Sequence, residues 1–246
     1  MKLAAAQIGT VTQDIEANLE KHYHLIEQAA NNQADLILFP ELSITGYERK
    51  NAREFAFSPD DERLRKLKEF AVRKQIIIIA GAPVNIRSEI FIGAFILLPD
   101  GSINIYTKQF LHAGEEQFYR SSFDFNPLIQ FQQEKLSLAI CSDINHSAHP
   151  AFAQSNGVSL YLAGIFFERD EMKKAHTILA GYARKYSMRV LMSNYCGSIW
   201  GLQAGGGSAF WDSEGHCIAS LNDSDPGILL IQDKNVSSIQ AFSIIQ

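Results

Sequence analysis

The sequence predicts an α/β fold, a four-layer αββα sandwich of two mixed β-sheets packed face to face with helices on the outer faces. Three observations predict it. Strand-like and helix-like segments alternate through residues 2–79, the order expected of a layered sheet with parallel core strands. Continuous apolar runs, such as Leu36-Ile-Leu-Phe39, have the pattern of strands buried on both faces. The same α-β-α-β order, followed by hairpins, then returns in the second half, although no repeat is visible residue by residue. With 246 residues and no internal linker, the whole of 1–246 is expected to form a single domain.

The elements follow in order. Residues 2–8 read as a strand, and 14–33 as a helix with Ile15, Leu19, Tyr23, Ile26 and Ala30 at helical spacing. Residues 35–39 form the next strand. A second amphipathic helix covers 60–74 through Leu64, Leu67 and Ala71, and leads into the β-branched run 76–79. Segments 90–98 and 102–107 flank Pro99-Asp100-Gly101, a turn signal that predicts a hairpin. Residues 128–132 and 136–140 form a further strand pair. A helix over 148–156, a strand over 158–162, a helix over 170–187 and a strand over 189–193 come next. The last strands are 207–211 and 216–221, joined by a turn at 212–215, and then 227–231, with only a short C-terminal tail beyond.

Composition narrows the function classes. Apolar residues at 46% and charged residues at 20% suit a globular chain with a sizeable core. A formal net charge of -5, with no basic tract, argues against nucleic acid or an anionic membrane as partner. No apolar stretch approaches the roughly 20 residues of a membrane span, and the strand-like N-terminus lacks the layout of a secretory signal. Three irregularly spaced cysteines predict reduced thiols and a cytoplasmic protein rather than a disulfide framework.

Three strands run into groups that carry chemistry. Cys141 closes the apolar run Leu136-Ser-Leu-Ala-Ile140, Glu41 follows Phe39-Pro40, and Lys108 follows Tyr106-Thr107. Singly each has a plainer reading: a buried core thiol, a turn cap, a solvated hairpin end. Together they place a thiol, a carboxylate and an ammonium on one rim of a sheet. His146 and His149 are three apart, but no Cys or Glu completes a ligand pattern, so no metal and no cofactor is expected. Cys196 and Cys217 read as structural. The glycines at 205–207 precede a strand rather than a helix, without the Lys-Ser/Thr of a phosphate loop.

Phe39-Pro40-Glu41 with Thr45-Gly46-Tyr47, Tyr106-Thr107-Lys108 with Glu115, Ile140-Cys141-Ser142-Asp143, Val190-Leu-Met-Ser-Asn194 and Gly207-Ser208 through Gly215 together resemble the nitrilase superfamily of carbon–nitrogen hydrolases, nearly end to end. The resemblance implies a cofactor-free amidohydrolase acting on a small amide or carbamoyl compound. Cys141 would be the nucleophile that forms a thioester, Glu41 the base, and Lys108 the cation that holds the oxyanion beside the Ser142 N–H. Glu115 is favoured on spacing as a second carboxylate, with Glu116 as its competitor. Tyr47, Ser142, His146 and Asn194 are expected to meet substrate. Relatives commonly pair through helices near the nucleophile, which here implies a homodimer through 148–156 and 170–187. This chain departs from its relatives at 144–150, where many carry Pro-Glu, and at Ser121-Ser122, where Pro-Gly is frequent. Nitrile hydrolysis by the same nucleophile, and a non-catalytic binding protein that keeps the fold, are the alternatives.

Overall fold

The computed structural model describes residues 1–232 and 239–243. The first half contains β1 (Lys2–Gln7), α1 (Ile15–Asn31), β2 (Leu36–Leu38), a short α2 (Ala52–Phe55), α3 (Arg65–Lys74), β3 (Ile77–Ile86), β4 (Glu89–Leu97) and β5 (Ile103–Thr107). The second half contains β6 (Ile129–Phe131), β7 (Glu134–Ile140), α4 (Ala148–Ser155), β8 (Leu160–Gly164), α5 (Met172–Tyr186), β9 (Arg189–Ser193), β10 (Cys196–Ile199), β11 (Leu202–Gly205), β12 (Ala209–Trp211) and β13 (Cys217–Ser220). Strands β14 (Gly227–Gln232) and β15 (Ile239–Ser243) return to the first sheet.

The predicted duplication is real at the level of topology. One sheet runs β15-β14-β1-β2-β3-β4-β5 and the other β13-β12-β9-β8-β7-β6. In each, three parallel strands (β1, β2, β3 and β7, β8, β9) are flanked by antiparallel strands, two on each side in the first sheet, and β6 on one side with the β12–β13 pair on the other in the second. The parallel strands are almost wholly buried, as their unbroken apolar runs require. The two sheets meet face to face, where the Ser193 hydroxyl of β9 donates to the Ala6 carbonyl of β1 at 2.5 Å. Helices α1 and α3 cover the first sheet, and α4 and α5 the second. Asp14 caps α1 by accepting from the Ala17 N–H at 2.9 Å.

Several elements differ from the sequence reading. Strand β3 runs on to Ile86, through Pro83. Partner β2 pairs only with Ile77–Ile79, so beyond that point β3 is an edge on this side. The Pro83 carbonyl accepts from Phe57 N–H on that edge, so the missing proline donor costs no ladder bond to β4. The expected tail instead includes β15, antiparallel to β14. Hairpin β10–β11 was not anticipated; it turns through Trp200 (φ 54°) and Gly201 (φ 79°), two left-handed residues of the kind a tight two-residue hairpin needs.

Candidate active site

The C-terminal ends of three strands converge between the sheets. Glu41 follows β2, Lys108 follows β5 directly, and Cys141 follows β7 in the opposite sheet. Close backbone approach makes this possible. A Cβ on Gly81 would lie 2.4 Å from the Leu42 nitrogen, and one on Gly164 would lie 2.9 Å from the Phe39 carbonyl. Only glycine in β3 and β8 lets the segment carrying Glu41 pass between them. That segment is then tied down by the Tyr195 hydroxyl, which donates to the Glu41 carbonyl at 2.6 Å, and by Ile44 N–H to the Gly81 carbonyl at 2.9 Å.

Lys108 is wholly buried, and its ammonium donates to Glu41 Oε1 at 2.7 Å and to both Glu115 oxygens at 3.0 and 2.8 Å. Glu115 is the acid that meets Lys108, whereas Glu116 is exposed and accepts from the Gly114 N–H. Glu115 also accepts from the Tyr47 hydroxyl at 3.1 Å and the His112 N–H at 2.7 Å. Its carboxylate is therefore fixed by three donor groups. Burial alone would depress the Lys108 ammonium, but Glu41, the thiol and Glu115 outweigh it and hold the group above its usual range. Burial pushes the Glu41 carboxyl up to about 7 against the pull of Lys108, with Glu115 adding to the rise. Glu41 Oε2 is a buried acceptor without a hydrogen-bond partner among the described residues.

Cys141 is close enough to interact with the Glu41 side chain. The residue has φ 44°, a left-handed conformation rare for a side chain other than glycine, as it turns from β7 into the 3-10 turn Cys141–Asn145. The residue is 4% exposed, and its thiol also faces the Phe166 carbonyl at 3.4 Å. Burial first, and Glu41 second, raise the thiol well above its ordinary range. The site therefore holds Cys141 as a thiol rather than a thiolate.

The strained turn is braced by Asp143. One of its oxygens accepts from Gln109 and Phe110 N–H at 3.0 and 2.9 Å, the other from Ile140 N–H at 2.9 Å and the Tyr106 hydroxyl at 2.6 Å. Asp143 thus clamps the cysteine turn to the segment that follows Lys108. Sequence reasoning quoted this residue in a motif but gave it no task. Behind it the Tyr106 hydroxyl meets His149 Nε2 at 2.8 Å, and the Tyr161 hydroxyl meets Nδ1 at 2.8 Å. Since Tyr106 donates to Asp143, Nε2 must carry the imidazole proton and Nδ1 must accept from Tyr161.

The expected substrate-contacting residues divide. Tyr47 is in the site, in edge contact with Phe166 at 4.6 Å between ring centres and with Trp200 at 5.8 Å. Ser142 is buried at the head of the 3-10 turn, where the first N–H groups have no partner within the turn. His146 is exposed and stacked on Phe110 at 4.0 Å between ring centres. Asn194 lies behind the rim. It is fully buried, with Oδ1 accepting from Phe167 N–H and Nδ2 donating to the Phe167 and Gly206 carbonyls, so its amide is engaged in holding backbone segments together. No group of three His, Cys, Asp or Glu side chains suited to a metal occurs among the described residues, and no described helix is long and apolar enough to cross a membrane.

The family model described as carbon-nitrogen hydrolase matches residues 2–242. An amidase from Nesterenkonia sp. AN1 superposes with a TM-score of 0.87 at 24% identity, covering 94% of this chain and 92% of that one. A protein described as hydrolase in agr operon, from Staphylococcus aureus, is 24% identical over 98% of this chain and 93% of its own length. A nitrilase from Pyrococcus abyssi is 30% identical over 52% of this chain and 48% of its own. The convergence of acid, ammonium and thiol on one rim thus has a family to match, and this chain belongs to the carbon–nitrogen hydrolases.

Proposed function

We propose that this protein hydrolyses a small amide or carbamoyl compound at a non-peptide C–N bond through a thioester on Cys141. As the sulfur attacks the carbonyl carbon, the thiol proton passes to Glu41 Oε2. Lys108 and the Ser142 N–H hold the developing oxyanion, and one such donor typically lowers the barrier by about 3–4 kcal/mol. The C–N bond breaks as Glu41 returns its proton to the leaving nitrogen. Water then attacks the thioester, Glu41 takes its proton, and the S–C bond breaks to release the acid and restore the thiol. Glu115 keeps Lys108 charged and aimed.

The observation that carries this reading is the buried Glu41 carboxylate, whose Oε2 has no hydrogen-bond partner among the described residues and whose side chain lies within reach of the Cys141 thiol. A buried carboxylate oxygen without a donor is costly in a merely structural site, and here it is the proton acceptor the attack needs. The Nesterenkonia amidase has been seen with butyramide and with acrylamide added to its active-site cysteine, which supports an amide substrate. The Pyrococcus relative favours a nitrile as the second reading. Release of ammonia from butyramide and from butyronitrile separates them: the first reading predicts turnover of the amide, and turnover of the nitrile alone would replace it.

We further propose that the enzyme works in the cytoplasm as a homodimer paired through α4 and α5. The exposed Phe152 on α4 supports that surface, and the three cysteines are all free. Sedimentation showing only monomer at micromolar concentration would remove the dimer.

A further inference from the structure

One cation beside the site has no task in the reaction above. Arg49 is half-buried, with its guanidinium 5.0 Å from the ring centre of Tyr47 and 4.6 Å from that of Trp200. Its Nη2 donates to the Tyr47 hydroxyl at 2.7 Å, and Tyr47 donates in turn to Glu115. The guanidinium is therefore three hydrogen bonds from the Lys108 ammonium. Its Nε is buried and has no hydrogen-bond partner among the described residues. A guanidinium that only braced Tyr47 would gain nothing from a desolvated, unpaired N–H, because such a donor is destabilising until an acceptor arrives.

Arg49 also lines a cavity of about 230 Å³ with Lys50, Arg53, Arg120, Glu89 and Gln117. Four cations face one acid there, and Glu89 is engaged by Arg120 at 3.3 Å. Arg53 donates to the Ser88 carbonyl, while Lys50 is exposed and makes no hydrogen bond or ion pair with the described residues. Composition does not explain this concentration of positive charge, since the chain as a whole carries -5. The catalytic cluster, by contrast, sets two carboxylates against one ammonium. Such a cluster repels an anion unless a further cation offsets it.

We propose that Arg49 is the specificity residue for a carboxylate on the substrate, so that the preferred substrates are small amides bearing a carboxylate a short chain away from the scissile carbonyl. The proposal rests on the amidohydrolase reading above. The basic cavity raises the local concentration of such anions, and the Arg49 guanidinium, held between two aromatic rings, offers Nε to the carboxylate. A lysine at this position could not present the same planar donor set.

The test compares two monoamides of dicarboxylic acids, succinamate and glutaramate, with neutral butyramide. In the first arm, Cys141→Ala protein is titrated with each compound by calorimetry, with and without Arg49→Gln. One of the anionic amides is expected to bind at least about 10-fold more tightly than butyramide, and Arg49→Gln to remove that preference. In the second arm, the ratio of kcat/KM for the anionic amide over butyramide is expected to fall by roughly 30-fold in Arg49→Gln, mainly through KM, with partial recovery in Arg49→Lys. Absence of a preference at either chain length overturns the proposal, and so does an Arg49→Gln variant in which all three compounds lose affinity together. Selective binding without hydrolysis of any amide would refute the amidohydrolase reading while upholding the anion site. Hydrolysis with an unchanged ratio would do the reverse.

Discussion

Two buried polar networks meet at Cys141, and they are built on opposite rules. Around Asp143 the linked groups are matched: the carboxylate accepts four hydrogen bonds, the Tyr106 hydroxyl donates and accepts, and both nitrogens of His149 are used. Around Lys108, three charged groups share the interior and one carboxylate oxygen, Glu41 Oε2, is left over. A satisfied network fixes geometry, because any other arrangement loses hydrogen bonds in a low dielectric. A network with one vacancy keeps a reactive atom in a fixed place, ready for a proton. The two lie side by side, so the Asp143 network holds the strained turn that presents the thiol to the Lys108 network.

The contrast can be broken from either side, and the expected effects differ in kind. Glu41→Gln should lower kcat by about 10³-fold, since it removes the base while keeping the shape. Thermal unfolding should show a midpoint unchanged or raised, because a buried charge with an unmatched oxygen is gone. Wild-type turnover should fall on the acid side of about pH 7, where Glu41 takes up a proton and can no longer accept one. A pH profile flat from 6 to 8 would contradict that role. Asp143→Ala does the opposite. It leaves Ile140, Gln109 and Phe110 N–H unpaired, and urea titration should show a stability loss of about 3 kcal/mol.

Acid tests the satisfied groups without mutation. His22 is buried between the Asn18 carbonyl and the Ser43 hydroxyl behind the Glu41 segment, and burial lowers it from 6.5 to about 4. Between those values the unfolded chain binds a proton that the folded protein does not. Stability contributed by neutral His22 is therefore complete above about pH 6.5 and is lost as pH falls towards 4, about 3 kcal/mol in all. Urea titrations of wild type and His22→Gln across that window should diverge, the variant having the shallower slope. The smallest effect belongs to Tyr161→Phe, which removes one hydrogen bond from His149 and should cost about 1 kcal/mol with turnover per folded molecule nearly unchanged.

What the sequence disclosed follows the same division. Glu41, Lys108 and Cys141 were legible because each ends an apolar strand, and a strand end announces itself by a change of pattern. Glu115 was legible only by its spacing from Lys108, and the fold then separated it from Glu116. Asp143, Tyr106 and His149 gave no such signal, since their partners lie 34, 37 and 43 positions apart in the chain. Asn194 was named through the resemblance of its segment to the family, and its amide hydrogen bonds to backbone at Phe167 and Gly206, contacts that only the fold discloses. Hairpin β10–β11 was missed for a related reason. Its residues include glycine, serine and glutamine, a weak strand composition, and its clearest turn signal, Trp200-Gly201, requires a left-handed tryptophan.

Acylation of Cys141 with Glu41 as its base is the central proposal. The most direct measurement is mass spectrometry of wild-type, Glu41→Gln and Cys141→Ala proteins, acid-quenched at short times during turnover of an amide substrate. The expected result is a mass increase equal to the acyl group on the peptide containing Cys141 in the wild type, slower accumulation in Glu41→Gln, and none in Cys141→Ala. An acyl adduct that persists in Cys141→Ala, or amide hydrolysis undiminished in that variant, would contradict it.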